Sequence, residues 1–160
     1  MLVALLLACA QPDPDSCAEG TEVGDCAPDF SLQANDGQWI SRADFGDEPL
    51  IVEFGAAWCG NCQAMSSELE ALSQEGYAVL MVLYEDARGG PPSPADAQAW
   101  VDHFDLSYPV LVDPGATVTM TWNHSGSIPE TYLVDDGLVR WRHVGKTGGL
   151  KRTIARELER

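Results

Sequence analysis

The residues best suited to chemistry are two cysteines in the segment Cys59-Gly60-Asn61-Cys62. An apolar run typical of a buried strand precedes them, and a stretch with helical spacing follows. The first thiol is therefore expected at a helix N-terminus, where unpaired backbone N–H groups and the helix dipole favour a thiolate. We predict that Cys59 attacks disulfides and that Cys62 resolves the mixed disulfide.

The elements that must position this pair can be read along the chain. Strand–helix–strand units imply parallel pairing with right-handed crossovers, and a late tight turn adds an antiparallel hairpin. We predict an α/β fold with a central mixed sheet, helices on both faces and an N-terminal β-hairpin extension. The expected elements are a hairpin over 30–41, strands over 49–54, 77–84, 108–112, 130–134 and 138–144, and helices over 61–75, 93–104, 117–122 and 149–159.

The segment from Glu53 to Cys62 resembles the strand, Trp-Cys and CxxC segment of the thioredoxin superfamily. That resemblance implies a thioredoxin fold, with Glu53 as a buried proton acceptor for Cys62. A carboxylate in so apolar a strand is expected to have a raised pKa, which suits a general base near neutrality. The resemblance also assigns Trp58 to shielding the dithiol, and Gly60 and Asn61 to the surface that meets the substrate.

A second marker of the superfamily is the segment Ser127-Ile128-Pro129-Glu130-Thr131. The resemblance implies that Pro129 follows a cis peptide bond and lies opposite the cysteine pair. The backbone of Ile128 would then offer hydrogen bonds to an extended substrate. Cis X–Pro bonds are a minority state and are usually retained for a purpose.

The resemblance narrows to the TlpA/ResA/CcmG branch of extracytoplasmic thioredoxins, through the entry segment Ala27–Leu32. Segments Pro129–Asp135 and Arg140–Gly145 are similar to the cytochrome c maturation reductants, CcmG or DsbE. This implies a protein that reduces a client protein bearing a disulfide or cysteine pair, and that receives electrons from a membrane donor protein. The pair Gly60-Asn61 stands where that branch usually has a pair containing proline.

The N-terminal sequence predicts a targeting signal and a tether rather than elements of the fold. The apolar run Leu2–Ala8 has seven residues, too few to span a bilayer. Together with Cys9 it resembles a bacterial lipobox, which implies a signal peptide over 1–8, a lipid on Cys9 and a periplasmic, membrane-anchored lipoprotein. The alternative is a frayed apolar N-terminus with a free Cys9.

Residues 9–27 are rich in Pro, Asp, Glu and Gly and predict a tether, before a thioredoxin-like domain over 28–160. In an oxidising compartment Cys17 and Cys26 are expected to form a structural disulfide. The alternatives are that either thiol serves as a further redox or metal site, or that the two are not paired with each other.

Composition and spacing exclude several classes of function. With 25 acidic residues against 9 Lys and Arg, the formal net charge is -16, so nucleic acid is not an expected partner. The cysteine spacing fits no zinc site, and we expect neither a metal nor a cofactor. His103 and His143 are expected to be structural.

Two rival functions remain open. A copper chaperone could use both thiols and His124, although copper carriers of this fold usually have CxxxC. A peroxiredoxin-like antioxidant shares the entry segment, but Cys59 lacks the Pro-x-x-x-Thr-x-x-Cys pattern.

Overall fold

Strands and helices alternate along the chain as the hydrophobic periodicity predicts. The computed structural model describes residues 17–160, so the signal peptide and lipidation site predicted at 1–8 and Cys9 lie outside the described residues. The elements are β1 (Ser31–Ala34), β2 (Trp39–Ser41), a 3₁₀ turn (Arg42–Phe45), β3 (Leu50–Gly55), α1 (Gly60–Gln74), β4 (Ala78–Leu83), α2 (Pro94–Phe104), β5 (Val110–Val112), α3 (Thr117–Trp122), β6 (Glu130–Asp135), β7 (Leu138–Val144) and α4 (Leu150–Leu158).

The strands form one mixed sheet in the order β2-β1-β5-β4-β3-β6-β7. Strands β3, β4 and β5 run parallel, whereas β6 is antiparallel to β3 and β7 to β6. The predicted fold class and N-terminal hairpin are confirmed. The sequence did not indicate where the hairpin would attach: β1 pairs antiparallel with β5, placing Gln33 opposite Val112.

Two hydrophobic cores lie on opposite faces of the sheet. Helices α1, α2 and α4 contribute to the core on one face, which also contains Ile51 of β3. The short helix α3 covers the other through Trp122, which packs with Val52 and Phe54. Side chains alternate between the faces of a strand, so Glu53 points to the same side as Ile51, beneath α1.

Residues 17–27 pack against the outer edge of β7. A disulfide joins Cys17 to Cys26, with their Cα atoms 5.2 Å apart. The N–H of Gly24 donates to the carbonyl of Val139 at 2.8 Å, and the N–H of Val139 donates to the carbonyl of Asp25 at 2.9 Å. The described part of the expected tether therefore lies on the sheet, because its main chain extends the hydrogen bonding of β7.

No helix within residues 17–160 combines the length and apolar character needed to cross a bilayer.

Candidate active site

The cysteine pair lies where β3 ends and α1 begins. Cys59 is the N-cap of α1, and its Sγ accepts a hydrogen bond from the backbone N–H of Cys62 at 3.1 Å. The two residues form a disulfide in the structure, with their Cα atoms 5.2 Å apart. Cys59 is 5% exposed and Cys62 is 1% exposed, so Cys59 is the more accessible sulfur. A helix N-terminus stabilises a thiolate at Cys59 when the bond is reduced.

Gly55, the last residue of β3, lies directly beneath Cys62. A β-carbon at Gly55 would come within 2.7 Å of the Cys62 sulfur and 2.9 Å of the Met81 methyl. Sequence reasoning missed this contact. The available signal was a glycine at the end of an otherwise apolar strand, which often marks a close approach.

Glu53 is fully buried in the interior of β3. Its Oε2 accepts a hydrogen bond from the Thr131 hydroxyl at 3.0 Å, and its Oε1 has no partner among the described residues. Burial raises the pKa of Glu53 from 4.5 to about 8, although the bond from Thr131 works in the opposite direction. The expected rise in pKa is confirmed, and its physical cause is the one expected, desolvation of the charged form.

Tyr108 is a second buried titratable group on the same face of the sheet. It is 3% exposed, and its hydroxyl has no hydrogen-bond partner within residues 17–160. Burial and then the charge of Glu53 raise the pKa of Tyr108 far above its usual range. Sequence reasoning placed Tyr108 in a strand but did not connect it with Glu53, because their proximity depends on the pairing of β4 with β3 and with β5.

The peptide bond between Ile128 and Pro129 is cis, as predicted. Pro129 is buried and immediately precedes β6, which runs antiparallel to β3 with Glu130 opposite Phe54. The first residues of β6 therefore lie beside the last residues of β3, at the same end of the sheet. The structure brings Ile128 and Pro129 to the end of the sheet that carries the cysteine pair.

The other residues predicted to meet a substrate lie at the surface. Trp58 is 50% exposed, and its indole N–H donates to Glu85 Oε2 at 2.6 Å. Gly60 and Asn61 are exposed in the first turn of α1. Beside them is a groove of about 330 Å³, lined in part by Ala57, Gln63, Trp100, His103 and Phe104.

The three histidines considered in the sequence analysis form no metal site within residues 17–160. His103 and His124 are exposed, and His143 is partly buried and stacks on Trp141. Across residues 17–160, no three His, Cys, Asp or Glu side chains are grouped so that they could hold a metal ion.

Fold and site together define a thioredoxin-like thiol–disulfide oxidoreductase. The sequence profile of the AhpC/TSA family matches residues 23–142, and the chain belongs to that family. It is similar to the thiol:disulfide interchange protein DsbE of Vibrio cholerae, with 31% identity over 139 residues that cover 83% of this chain and 71% of the relative.

Two further comparisons agree with this assignment. The thioredoxin-like protein YneN of Bacillus subtilis is 31% identical over 127 residues, covering 79% of this chain and 74% of the relative. The crystal structure of the exposed lipoprotein thioredoxin Etrx1 of Streptococcus pneumoniae superposes with a TM-score of 0.68 at 27% identity, covering 81% of this chain and 99% of that one.

Proposed function

We propose that Cys59 and Cys62 are a redox-active dithiol that reduces the disulfides of client proteins. The Cys59 thiolate attacks one client sulfur, forming a mixed disulfide and releasing the other client sulfur as a thiolate. Cys62 then attacks Sγ of Cys59, which closes the Cys59–Cys62 disulfide and releases the second client thiol. Two electrons pass to the client, and a donor protein must then supply two more to reduce the Cys59–Cys62 disulfide again.

The observation that carries this proposal is the position of Cys59 as the N-cap of α1. Its sulfur already accepts the N–H of Cys62, so a negative charge on that sulfur meets a donor that is in place before reaction. Cys62 is the more buried sulfur, so it attacks the neighbouring mixed disulfide rather than an incoming client.

Glu53 supplies the proton acceptor for Cys62 in this scheme. Its carboxylate is on the same face of β3 as Gly55, where an added β-carbon would lie 2.7 Å from the Cys62 sulfur. Oε1 has no partner among the described residues and is available to accept a proton. A pKa of about 8 leaves a fraction of Glu53 ionised at neutral pH and makes it a better base than an ordinary carboxylate.

The client binds, in this proposal, across the exposed surface around the dithiol. Trp58, Gly60 and Asn61 contact the client on one side, and Ile128 and Pro129 on the other. The half-exposed indole of Trp58 supports this role, because a rigid aromatic side chain that is held by one hydrogen bond makes a good contact surface.

The proposal also includes the compartment, the membrane attachment and the electron donor of the protein. We place the protein outside the cytoplasm, attached to a membrane by a lipid on Cys9 and supplied with electrons by a membrane protein, in a role similar to cytochrome c maturation. The Cys17–Cys26 disulfide supports an oxidising compartment. A lipoprotein among the structural relatives supports the lipid. Mass spectrometry of membrane-extracted protein tests it, and an unmodified Cys9 in an uncleaved chain would contradict it.

The direction of exchange is tested by equilibrating the Cys59–Cys62 pair with dithiothreitol or glutathione buffers. A potential near that of thioredoxin, about −270 mV, is expected for a reductant, whereas one near that of DsbA, about −120 mV, would indicate an oxidant. The Cys17→Ser/Cys26→Ser variant is the matched control and is expected to keep the same potential. Full disulfide-reductase activity in Cys59→Ser would refute the proposal.

The rival functions gain no support. A copper site on both sulfurs and His124 would bring three ligands together, and no three His, Cys, Asp or Glu side chains within residues 17–160 are grouped so that they could hold a metal ion. Stoichiometric Cu(I) binding that His124→Ala abolishes would restore this alternative. A peroxiredoxin-like reaction would be revealed by peroxide consumption that depends on Cys59.

A further inference from the structure

Glu130 is a fully buried carboxylate that directly follows Pro129. Arg142 Nη2 lies 3.0 Å from its Oε1. The Tyr132 hydroxyl lies 2.9 Å from the same oxygen and 2.6 Å from the Trp122 carbonyl, so two acceptors share its one proton. The Ser125 hydroxyl lies 3.0 Å from both Glu130 Oε2 and Asn123 Oδ1, and the buried carboxylate is the stronger acceptor for its one proton. A buried carboxylate needs such partners, so these contacts fix the position of Glu130 and of the groups bonded to it.

The partner Ser125 belongs to the segment 123–127, which we call the client loop because it leads into Ile128 and Pro129. Asn123 closes this loop on itself: its Oδ1 accepts the N–H of Gly126 at 2.8 Å, and its Nδ2 donates to the carbonyl of Ser127 at 2.8 Å. The loop is thus braced internally and is attached to Glu130 through Ser125.

The same arginine reaches in the other direction. Arg142 Nη1 pairs with the carboxylate of Glu22, which belongs to the loop closed by the Cys17–Cys26 disulfide. The backbone N–H of Glu22 is itself held by the Asp25 carboxylate at 2.9 Å. One guanidinium therefore connects the disulfide-closed loop, residues 17–26, with the buried carboxylate behind the client loop.

We propose that the disulfide-closed loop is a positioning element for client binding. It holds Glu22 against Arg142, Arg142 and Glu130 hold each other, and Glu130 holds the client loop that presents Ile128. This inference depends on the proposed function, since it assumes that clients bind beside Ile128. The Cys17–Cys26 bond exchanges no electrons in this role and acts only as a covalent brace.

The exposure of Glu22 and the burial of Glu130 indicate which substitutions should weaken client binding most. Glu22 has a side chain that is 72% exposed, so its ion pair with Arg142 is weak. Removing Arg142 instead leaves Glu130 buried without its counter-ion, which is the more damaging change. The loss of the disulfide and the loss of the Glu22 charge act on one link, so their effects are expected not to add.

The test uses the full chain in a Cys62→Ser background, in which Cys59 forms a mixed disulfide and no reductant is present to open Cys17–Cys26. Formation of the Cys59 adduct is followed by mass spectrometry, with insulin as a protein disulfide and 5,5′-dithiobis(2-nitrobenzoate) as a small one. Glu22→Gln is expected to raise the half-saturating insulin concentration about 2- to 5-fold and to leave the limiting rate unchanged.

The remaining variants separate positioning from general damage. Cys17→Ser/Cys26→Ser is expected to match Glu22→Gln, their combination to add nothing, and Arg142→Gln to have the largest effect. The rate with the small disulfide is expected to stay constant in Glu22→Gln. Glu19→Gln is the matched control, since the exposed Glu19 carboxylate forms no hydrogen bond or ion pair among the described residues.

Three outcomes would overturn the proposal: unchanged insulin saturation in Glu22→Gln and in the double-cysteine variant, an equal fall in rate with both disulfides, or additive effects in the combined variant. Failure of the proposed function is distinguishable from these outcomes, because the Cys62→Ser parent would then form no adduct with either disulfide.

Discussion

Gly55 leaves no room for a side chain beside Cys62: a β-carbon added at Gly55 would lie only 2.7 Å from the Cys62 sulfur. The Met81 methyl, at 2.9 Å, closes the same space from β4. Gly55→Ala must therefore push the resolving cysteine out of place. We expect the oxidised protein to lose about 1–3 kcal/mol of unfolding free energy, as overpacked cores do, and resolution of mixed disulfides to slow.

Chemical denaturation of the oxidised form and stopped-flow resolution kinetics measure these two effects. Gly148→Ala is the matched control, because nothing lies within 4 Å of a β-carbon there and Gly148 is remote in sequence from the cysteine pair. If Gly55→Ala behaves like Gly148→Ala, the crowding of Cys62 has no consequence.

The buried carboxyl of Glu53 predicts an unusual dependence of stability on pH. Its pKa rises from 4.5 to about 8 on folding, so the folded state holds a proton that the unfolded state releases. This contribution is complete below pH 4.5 and is lost as the pH rises towards about 8, by about 5 kcal/mol in all. We expect Glu53→Gln to remove that loss and to be more stable than the wild type above pH 8.

Urea denaturation of the oxidised protein across this pH range provides the measurement. Glu48→Gln, a change at an exposed carboxylate, is expected to leave the profile unaltered. Parallel profiles for the wild type and Glu53→Gln would show that Glu53 titrates normally.

Thr131 donates the hydrogen bond that partly stabilises the ionised form of Glu53. Thr131→Val keeps the shape of the side chain and removes this donor, so the pKa of Glu53 is expected to rise further. The rate of mixed-disulfide resolution should then require a higher pH, whereas Glu53→Gln should show no such pH dependence and should resolve slowly at neutral pH. An unmoved pH profile in Thr131→Val would contradict the assignment of Glu53 as the base.

Trp58 offers a test of the client surface. Trp58→Ala is expected to raise the KM for a protein disulfide about 5- to 10-fold, because half-exposed aromatic side chains often contribute much of the contact energy. Trp39→Ala is the control: Trp39 is 68% exposed but lies on β2, at the far end of the sheet from β3. Equal effects of the two substitutions on KM would remove Trp58 from the client surface.

Sequence reasoning predicted the elements that depend on local pattern. The apolar run before Cys59 and the helical spacing after it were sufficient to place the cysteine pair at a strand–helix junction. The same apolar run, typical of a strand buried on both faces, makes Glu53 a core residue. The approach of Tyr108 to Glu53 could not be predicted, because it depends on the register that sets Met81 opposite Val110. Registers of this kind arise from packing between distant segments.

The same limit applies to the link between Glu22 and Glu130. It depends on an arginine 120 residues after Glu22, on a strand whose edge the disulfide-closed loop covers. Composition alone marks that loop as polar and extended, since its few apolar side chains give no periodic signal. Main-chain hydrogen bonds also hold it to the sheet, and these depend little on which side chains the loop carries.

The segment that carries Cys17 and Cys26 also affects how the folded chain can associate with other chains. A sheet with an open edge invites another strand to add to it. Here one edge is β2, only three residues long, and the start of the other is occupied by residues 24–27. The rest of β7 carries Arg140 and Arg142, and charged side chains on an edge strand discourage strand addition. By limiting how far residues 24–27 can move away, the Cys17–Cys26 bond helps to keep the start of β7 closed to strand addition.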